Sequence, residues 1–166
     1  FEPLRDKCIK FLEIGVGSGE SIRTWLEYFP HAVIFGIDNV QSTNPWDTTK
    51  EKPDGRYKFI CGDQSFERFW SEFNVDYPIS WDVIVDDGGH YSEQVIKTLN
   101  ALWPKLRSGG LYAIEDLGCS YNAIFQTPNW PTPMERLHAM LDQLNVDSPD
   151  VDSIYFAREL AVIRKK

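Results

Sequence analysis

An α/β fold is predicted, Rossmann-like and doubly wound, with a mostly parallel seven-stranded sheet that ends in a C-terminal antiparallel hairpin. Three observations predict it. Short apolar runs alternate with stretches whose apolar residues recur at helical spacing, a glycine cluster follows the first run, and the last two runs are only a few residues apart. Alternation of this kind gives parallel strands joined by helical crossovers, whereas two adjacent runs fold back on each other as a hairpin. At 166 residues, with 42% hydrophobic and 14% aromatic content, the chain has the length and material for one core, and residues 1–166 are read as one domain.

Residues 8–14 read as the first strand and residues 20–29 as the first helix, which Pro30 ends. Strands at 32–37 and 57–61 follow, separated by a polar loop rich in Asn, Thr, Pro and Lys. Phe66, Phe69, Trp70 and Phe73 fall at helical spacing and precede a strand at 81–85. Ser92 is placed to cap a helix carrying Val95, Ile96, Leu99, Leu102 and Trp103 on one side. Gly109-Gly110 then turns the chain into a fifth strand at 111–114. These aromatic and aliphatic stripes are read as core. An irregular loop at 118–133 holds three prolines, a helix is expected at 134–144, and the hairpin is formed by 151–156 and 160–163.

Composition removes several classes of function. The 25 acidic residues outweigh 17 basic ones, for a net charge of -8, and only Arg164-Lys165-Lys166 cluster. No nucleic-acid partner is expected from such a surface. No apolar run approaches membrane-spanning length, so no membrane partner is expected either. Cys8, Cys61 and Cys119 are odd in number and widely spaced, which fits reduced thiols in a cytoplasmic protein better than a disulfide framework or a zinc site. The chain opens almost directly on a core strand, so truncation at the N-terminus is an expectation, and a homo-oligomer is left open.

The chemistry concentrates at strand ends. Asp86-Asp87-Gly88-Gly89-His90 follows the fourth strand and Glu115-Asp116 the fifth, the edge where α/β sheets meet their ligands. Carboxylates gathered there repel one another unless a cation or proton offsets them, so four acids beside a histidine suggest a hard metal ion and a base. The cluster Glu13-Ile14-Gly15-Val16-Gly17-Ser18-Gly19 lies between the first strand and first helix, where glycines permit a tight turn and expose helix N-terminal amides. Glu20 stands where a dinucleotide fingerprint would place glycine, which disfavours a dehydrogenase and points to a neutral or cationic ligand. Asp38, ending the second strand, is placed to accept two hydrogen bonds from a ribose diol. Gly62-Asp63-Gln64 follows the third strand, where an adenine edge could be read.

Taken in this order, these motifs resemble the class I S-adenosylmethionine-dependent methyltransferases over nearly the whole chain. Val85-Asp86-Asp87-Gly88-Gly89-His90 paired with Ile114-Glu115-Asp116-Leu117 and then Ser120-Tyr121 is similar, within that class, to the metal-dependent sugar O-methyltransferases of the macrocin, mycinamicin and rhamnosyl type. The resemblance implies a Mg-assisted (or Mn-assisted) O-methyltransferase that uses S-adenosylmethionine, releases S-adenosylhomocysteine, and acts on a hydroxyl of a sugar or glycosylated natural product. It implies Asp87, Glu115 and Asp116 as metal ligands, His90 as base with Asp87 beside it as catalytic, and a cofactor site of Glu13, Gly15, Gly17, Ser18, Gly19, Asp38, Asp63, Gln64 and Asp86. Asp86 can equally bond a loop amide. Gly89 departs from the family, which often has serine there, as does the absence of the N-terminal segment that helps close the site in larger members. Trp130, Tyr121 and Phe125 either line a substrate lid or pin the long loop. His31 and His138 are read as surface residues. The competing function is a catalytically silent adenosyl-cofactor-binding or interaction module within a longer protein, which the intact set of Asp87, His90, Glu115 and Asp116 disfavours.

Overall fold

The computed structural model describes residues 1–40, 55–144, 146 and 150–166. Seven strands form one sheet in the order β3-β2-β1-β4-β5-β7-β6. They are β1 (Lys10–Ile14), β2 (Val33–Asp38), β3 (Tyr57–Cys61), β4 (Trp81–Asp86), β5 (Leu106–Ile114), β6 (Val151–Ala157) and β7 (Leu160–Lys165). The first five pair in parallel, and β7 runs antiparallel to both β5 and β6, as the spacing of the last two runs predicts. From β1 the chain builds outward through β2 and β3, then returns to place β4 on the other side of β1. The winding therefore reverses between β1 and β4, and the loops leaving their C-terminal ends diverge into a crevice.

Alternating residues of the inner strands feed two apolar layers. Phe11 of β1 faces α1 (Glu20–Tyr28), which contributes Ile22 and Leu26, whereas Leu12 and Ile14 face the layer built by α2, α3 and α4. That second layer holds Trp70 and Phe73 of α2 (Glu67–Asp76), Val95, Leu99 and Leu102 of α3 (Ser92–Leu102), and Leu137 and Met140 of α4 (Pro133–Leu144). Each such side chain, once buried, contributes roughly 1.5–3 kcal/mol, so the two layers hold the sheet rigid beneath its loops. Helix α4 starts on a capping box: Thr132 Oγ1 accepts the Glu135 N–H at 3.2 Å and Glu135 Oε2 accepts the Thr132 N–H at 2.7 Å.

Several local expectations are corrected. Phe66 is 62% exposed at the N-cap of α2 and not part of its core stripe. Ser92 begins α3 and does not cap it; its hydroxyl donates to the Phe125 carbonyl at 3.3 Å, and Tyr91 takes the cap position. Trp103 lies past α3, in a short 3-10 turn. Gly109 and Gly110 lie inside β5: the step from Trp81 to Val83 in β4 is matched by the longer step from Leu106 to Leu111 in β5, and Gly109, at φ +74, lies within that bulge. The loop at 118–133 opens on a 3-10 turn, Leu117–Tyr121. The first strand starts at Lys10, leaving Cys8 exposed, and all three cysteines are free thiols. Of the polar loop before β3, residues 41–54 lie outside the described residues. Among the described residues no helix is long and apolar enough to cross a membrane.

Candidate active site

The crevice predicted by the strand order is a cleft of about 530 Å³ at the C-terminal ends of β1 to β4. Gly15, Gly17 and Ser18 form one wall, Asp38, Asp63 and Gln64 another, and Asp87, Gly88 and Gly89 close the side toward β4. Gly15 has φ +88, and a Cβ there would lie 2.1 Å from the Asp87 carbonyl oxygen, so only glycine lets the two loops meet. Gly19 is set back from the cleft as the left-handed N-cap of α1.

At the glycine-loop end, charge is matched by backbone. Asp38 Oδ2 accepts the N–H groups of Val16 at 3.0 Å and Gly17 at 3.1 Å, and Oδ1 accepts that of Val40 at 3.2 Å. A carboxylate has about four acceptor sites, so Asp38 mainly braces the loop and keeps room for about one further donor, fewer than the two expected. Asp63 is tied similarly, with Oδ1 accepting the Ser65 N–H at 2.8 Å. Gln64 lines the cleft but its amide is committed inward: Nε2 donates to Thr98 Oγ1 at 2.9 Å and Oε1 accepts the Gly89 N–H at 2.6 Å.

Two carboxylates lie buried below the cleft, on opposite faces of the sheet. Glu13 faces α1, where Trp25 Nε1 donates to Oε1 at 3.4 Å. Burial pushes it up to about 7; the Ser21 and Trp25 donors lower it, and the charges of Asp87 and Glu115 raise it further. Asp86 faces α3, with Gln64 Nε2 at 3.5 Å from Oδ1, and burial pushes it up to about 7 against the lowering effect of the Gly88 amide and Gln64.

Asp87 lines the β4 side of the cleft, and Glu115, Asp116 and His90 lie near enough for their charges to act on one another. Asp87 is half-buried and raised by burial, then by Asp116, with His90 acting in the opposite direction. Glu115, at the rim, is raised by loss of solvent on its protein side, then by Asp87 and Asp116. His90 Nε2 lies 3.4 Å from Asp116 Oδ2, and the ring meets Phe125 edge-on with centroids 6.1 Å apart. Asp116 adopts φ +53, a left-handed turn that redirects the chain at the end of β5. The hairpin holds that turn: Glu159 Oε2 accepts the Gly118 N–H at 2.5 Å and its carbonyl accepts the Leu117 N–H at 3.3 Å. The chain thus brings Asp87, His90, Glu115 and Asp116 to one rim. Among the described residues no three acidic, imidazole or thiol groups form a ready-made metal cage. The donor chemistry nonetheless fits a hard cation, because these are oxygen ligands whose charges oppose one another.

Some site residues escaped sequence reading. Gln94 lines the cleft from α3, and Glu159 reaches the site from the far end of the chain. Neither belongs to a recognisable motif; the capping-box spacing of Gln94 to Tyr91 is the single local signal. Phe125 packs on His90 and Tyr91 and so pins the long loop to the start of α3, while Tyr121 is 74% exposed. His31 and His138 lie at the surface.

Comparison with known proteins agrees with this geometry. L-olivosyl-oleandolide 3-O-methyltransferase of Streptomyces antibioticus is 30% identical over 95% of this chain and 43% of its own length. The 8-demethyl-8-alpha-L-rhamnosyl tetracenomycin-C 2'-O-methyltransferase of Streptomyces olivaceus is 34% identical over 76% of this chain and 33% of its own. A solved structure of the MycE methyltransferase from the mycinamycin biosynthetic pathway, in complex with Mg, SAH and mycinamycin VI, superposes with a TM-score of 0.86 at 27% identity, over 99% of this chain and 46% of that one. The chain spans less than half the length of these curated relatives. Residues 12–117, from the middle of β1 to the turn after β5, match the family described as a methyltransferase domain, and the chain belongs to this family.

Proposed function

We propose that the protein transfers the methyl group of S-adenosylmethionine to a hydroxyl oxygen of a sugar on a glycosylated small molecule. The observation that carries the reading is a cleft that runs from the glycine loop to Asp87, Gly88 and Gly89, the residues that lead into His90, at the point where the sheet reverses its winding. The relatives' named activities, all on glycosylated natural products, support the acceptor class.

In this reading the adenosyl group lies along the glycine loop, with Asp38 accepting a ribose hydroxyl at its remaining site and Asp63 near the base. Its sulfonium suits a cleft walled by acids, where a pyrophosphate would be repelled. Asp87, Glu115 and Asp116 are the residues that would hold magnesium, which when bound acidifies the acceptor hydroxyl and fixes its direction. His90, whose Nε2 lies 3.4 Å from Asp116 Oδ2, is the base that takes the hydroxyl proton. General-base help of this kind contributes roughly a hundred- to ten-thousand-fold, and the orientation supplied by a rigid cleft contributes on the order of 7 to 11 kcal/mol.

Calorimetry with S-adenosylhomocysteine, followed by labelled methyl transfer to mycinamicin VI and to a methyl rhamnoside, tests the reading. Micromolar-class binding, on the order of -8 kcal/mol, and transfer abolished by chelator are expected. Tight binding of a nicotinamide dinucleotide with none of S-adenosylhomocysteine would overturn it.

A further inference from the structure

His90 sits between two backbone N–H groups that glutamine side chains hold. The residue before it, Gly89, donates its N–H to Gln64 Oε1 at 2.6 Å, and the residue after it, Tyr91, donates to Gln94 Oε1 at 3.4 Å. Both glutamines are anchored in turn. Gln64 Nε2 donates to the hydroxyl of the fully buried Thr98, and its backbone carbonyl accepts Trp70 Nε1–H at 3.0 Å. Gln94 Nε2 donates to Ser65 Oγ at 2.8 Å, next in sequence to Gln64, and Thr98 Oγ1 donates to the Gln94 carbonyl at 2.9 Å. The partners fix each amide's orientation, because a flipped Gln64 would set its NH2 against the Gly89 N–H.

The two glycines before His90 belong to the same arrangement. A Cβ at position 88 would lie 2.1 Å from Gln64 Oε1, and one at position 89 would lie 2.1 Å from Gln94 Oε1. Each glutamine oxygen occupies the space a side chain would need, so the loop lies flat on both amides. We propose that Gln64 and Gln94 are positioning residues that fix the backbone on either side of His90, and through it the imidazole's aim. The proposal rests on the methyltransferase reading for its consequence, and on the hydrogen bonds alone for its geometry.

Amide hydrogen exchange and steady-state kinetics separate the two. Gln64→Leu should speed exchange at Gly89 about tenfold or more and leave Tyr91 slow, and Gln94→Leu should do the reverse. In transfer to mycinamicin VI, both should lower kcat about tenfold or more, with the acceptor KM held within about threefold. Gln94→Glu, which keeps an acceptor for Tyr91 and can accept a hydrogen bond from the Ser65 hydroxyl, should restore kcat to within a few-fold of wild type. If Gln64→Leu does not fold, Thr98→Val removes the hydroxyl that orients Gln64 at nearly constant shape, and should speed exchange at Gly89 in the same way. Unchanged kcat in variants whose exchange has accelerated overturns the positioning role, and exchange that does not respond overturns the brace itself. A wild-type protein that binds no S-adenosylhomocysteine sinks the methyltransferase reading, while the exchange pattern still decides whether the glutamines hold the loop.

Discussion

Asp38 and Asp87 stand at opposite ends of one cleft, each just where a parallel strand gives way to its loop, yet they meet opposite surroundings. Asp38 accepts three backbone N–H groups, so its charge is already offset and the glycine loop is drawn into shape around it. Asp87 faces Asp116, and Glu115 faces both; burial and these like charges push Asp87 and Glu115 upward, and His90 acts against them at Asp87. One end is complete as folded. The other holds more negative charge than its own donors offset, and a bound cation would relieve it.

The largest test of that contrast is removal of the rim acids. Asp87→Ala, Glu115→Ala and Asp116→Ala should each lower methyl transfer by about a thousandfold or more while S-adenosylhomocysteine binds within about threefold of wild type. His90→Gln should lower it by roughly a hundredfold with the same retention of binding. If any rim variant loses cofactor affinity in step with turnover, the two ends are not separable in the way their charges suggest.

That division also explains what was legible in the sequence. The alternation of strands and helices, the hairpin and the glycine loop depend on local spacing, and each appears where spacing predicts it. Gln94 and Glu159 reach the site only through tertiary packing, across α3 and from the hairpin turn, and no local pattern carries that. Ser92 does not cap α3 because its hydroxyl has a long-range partner in Phe125, which outcompetes the local cap. Gly109 and Gly110 lie in a bulge and not in a turn, and a bulge inside a strand has the same composition as a turn before it. Asp38 ends β2 as its spacing predicts, but its commitment to three amides depends on where the glycine loop folds back, which the sequence does not encode locally.

A second test uses the buried carboxylate beneath the cleft. Glu13 is held at about 7 against an ordinary 4.5, so above pH 4.5 the unfolded chain releases a proton that the folded protein still carries. Folding therefore weakens as pH rises from about 4.5 to about 7, by at most about 3 kcal/mol from this group, and changes little beyond. Asp86, Asp87 and Glu115 are shifted in the same direction and add to the slope. Thermal midpoints measured from pH 5 to pH 8 should fall in the wild type and fall less in Glu13→Gln, which should be the more stable protein at pH 8. Parallel curves for the two proteins would show that Glu13 does not titrate in that window, and that its neighbours carry the slope.

The smallest effect tests the contrast most directly, by making the same neutral substitution at both ends. Asp38→Asn replaces two acceptor oxygens by one oxygen and one NH2 group, so three backbone N–H groups compete for a single uncharged acceptor, and at least one faces another donor. A loss of about 1 kcal/mol follows, or roughly 2–4 degrees in Tm for a chain of this size. Asp87→Asn removes one of several like charges without orphaning a backbone donor that depends on it, so Tm should hold or rise by about a degree in metal-free buffer. Salt distinguishes the causes: the gain at Asp87 should shrink as ionic strength rises toward 1 M, where screening acts within about 3 Å, while the loss at Asp38 should persist because it is a hydrogen-bonding loss at contact distance. Added magnesium should raise the wild-type Tm through binding to the folded state and leave Asp87→Asn nearly unmoved. Equal destabilisation at the two positions would mean that Asp87, like Asp38, is tied into its loop, and that the rim carries no unrelieved charge for a cation to meet.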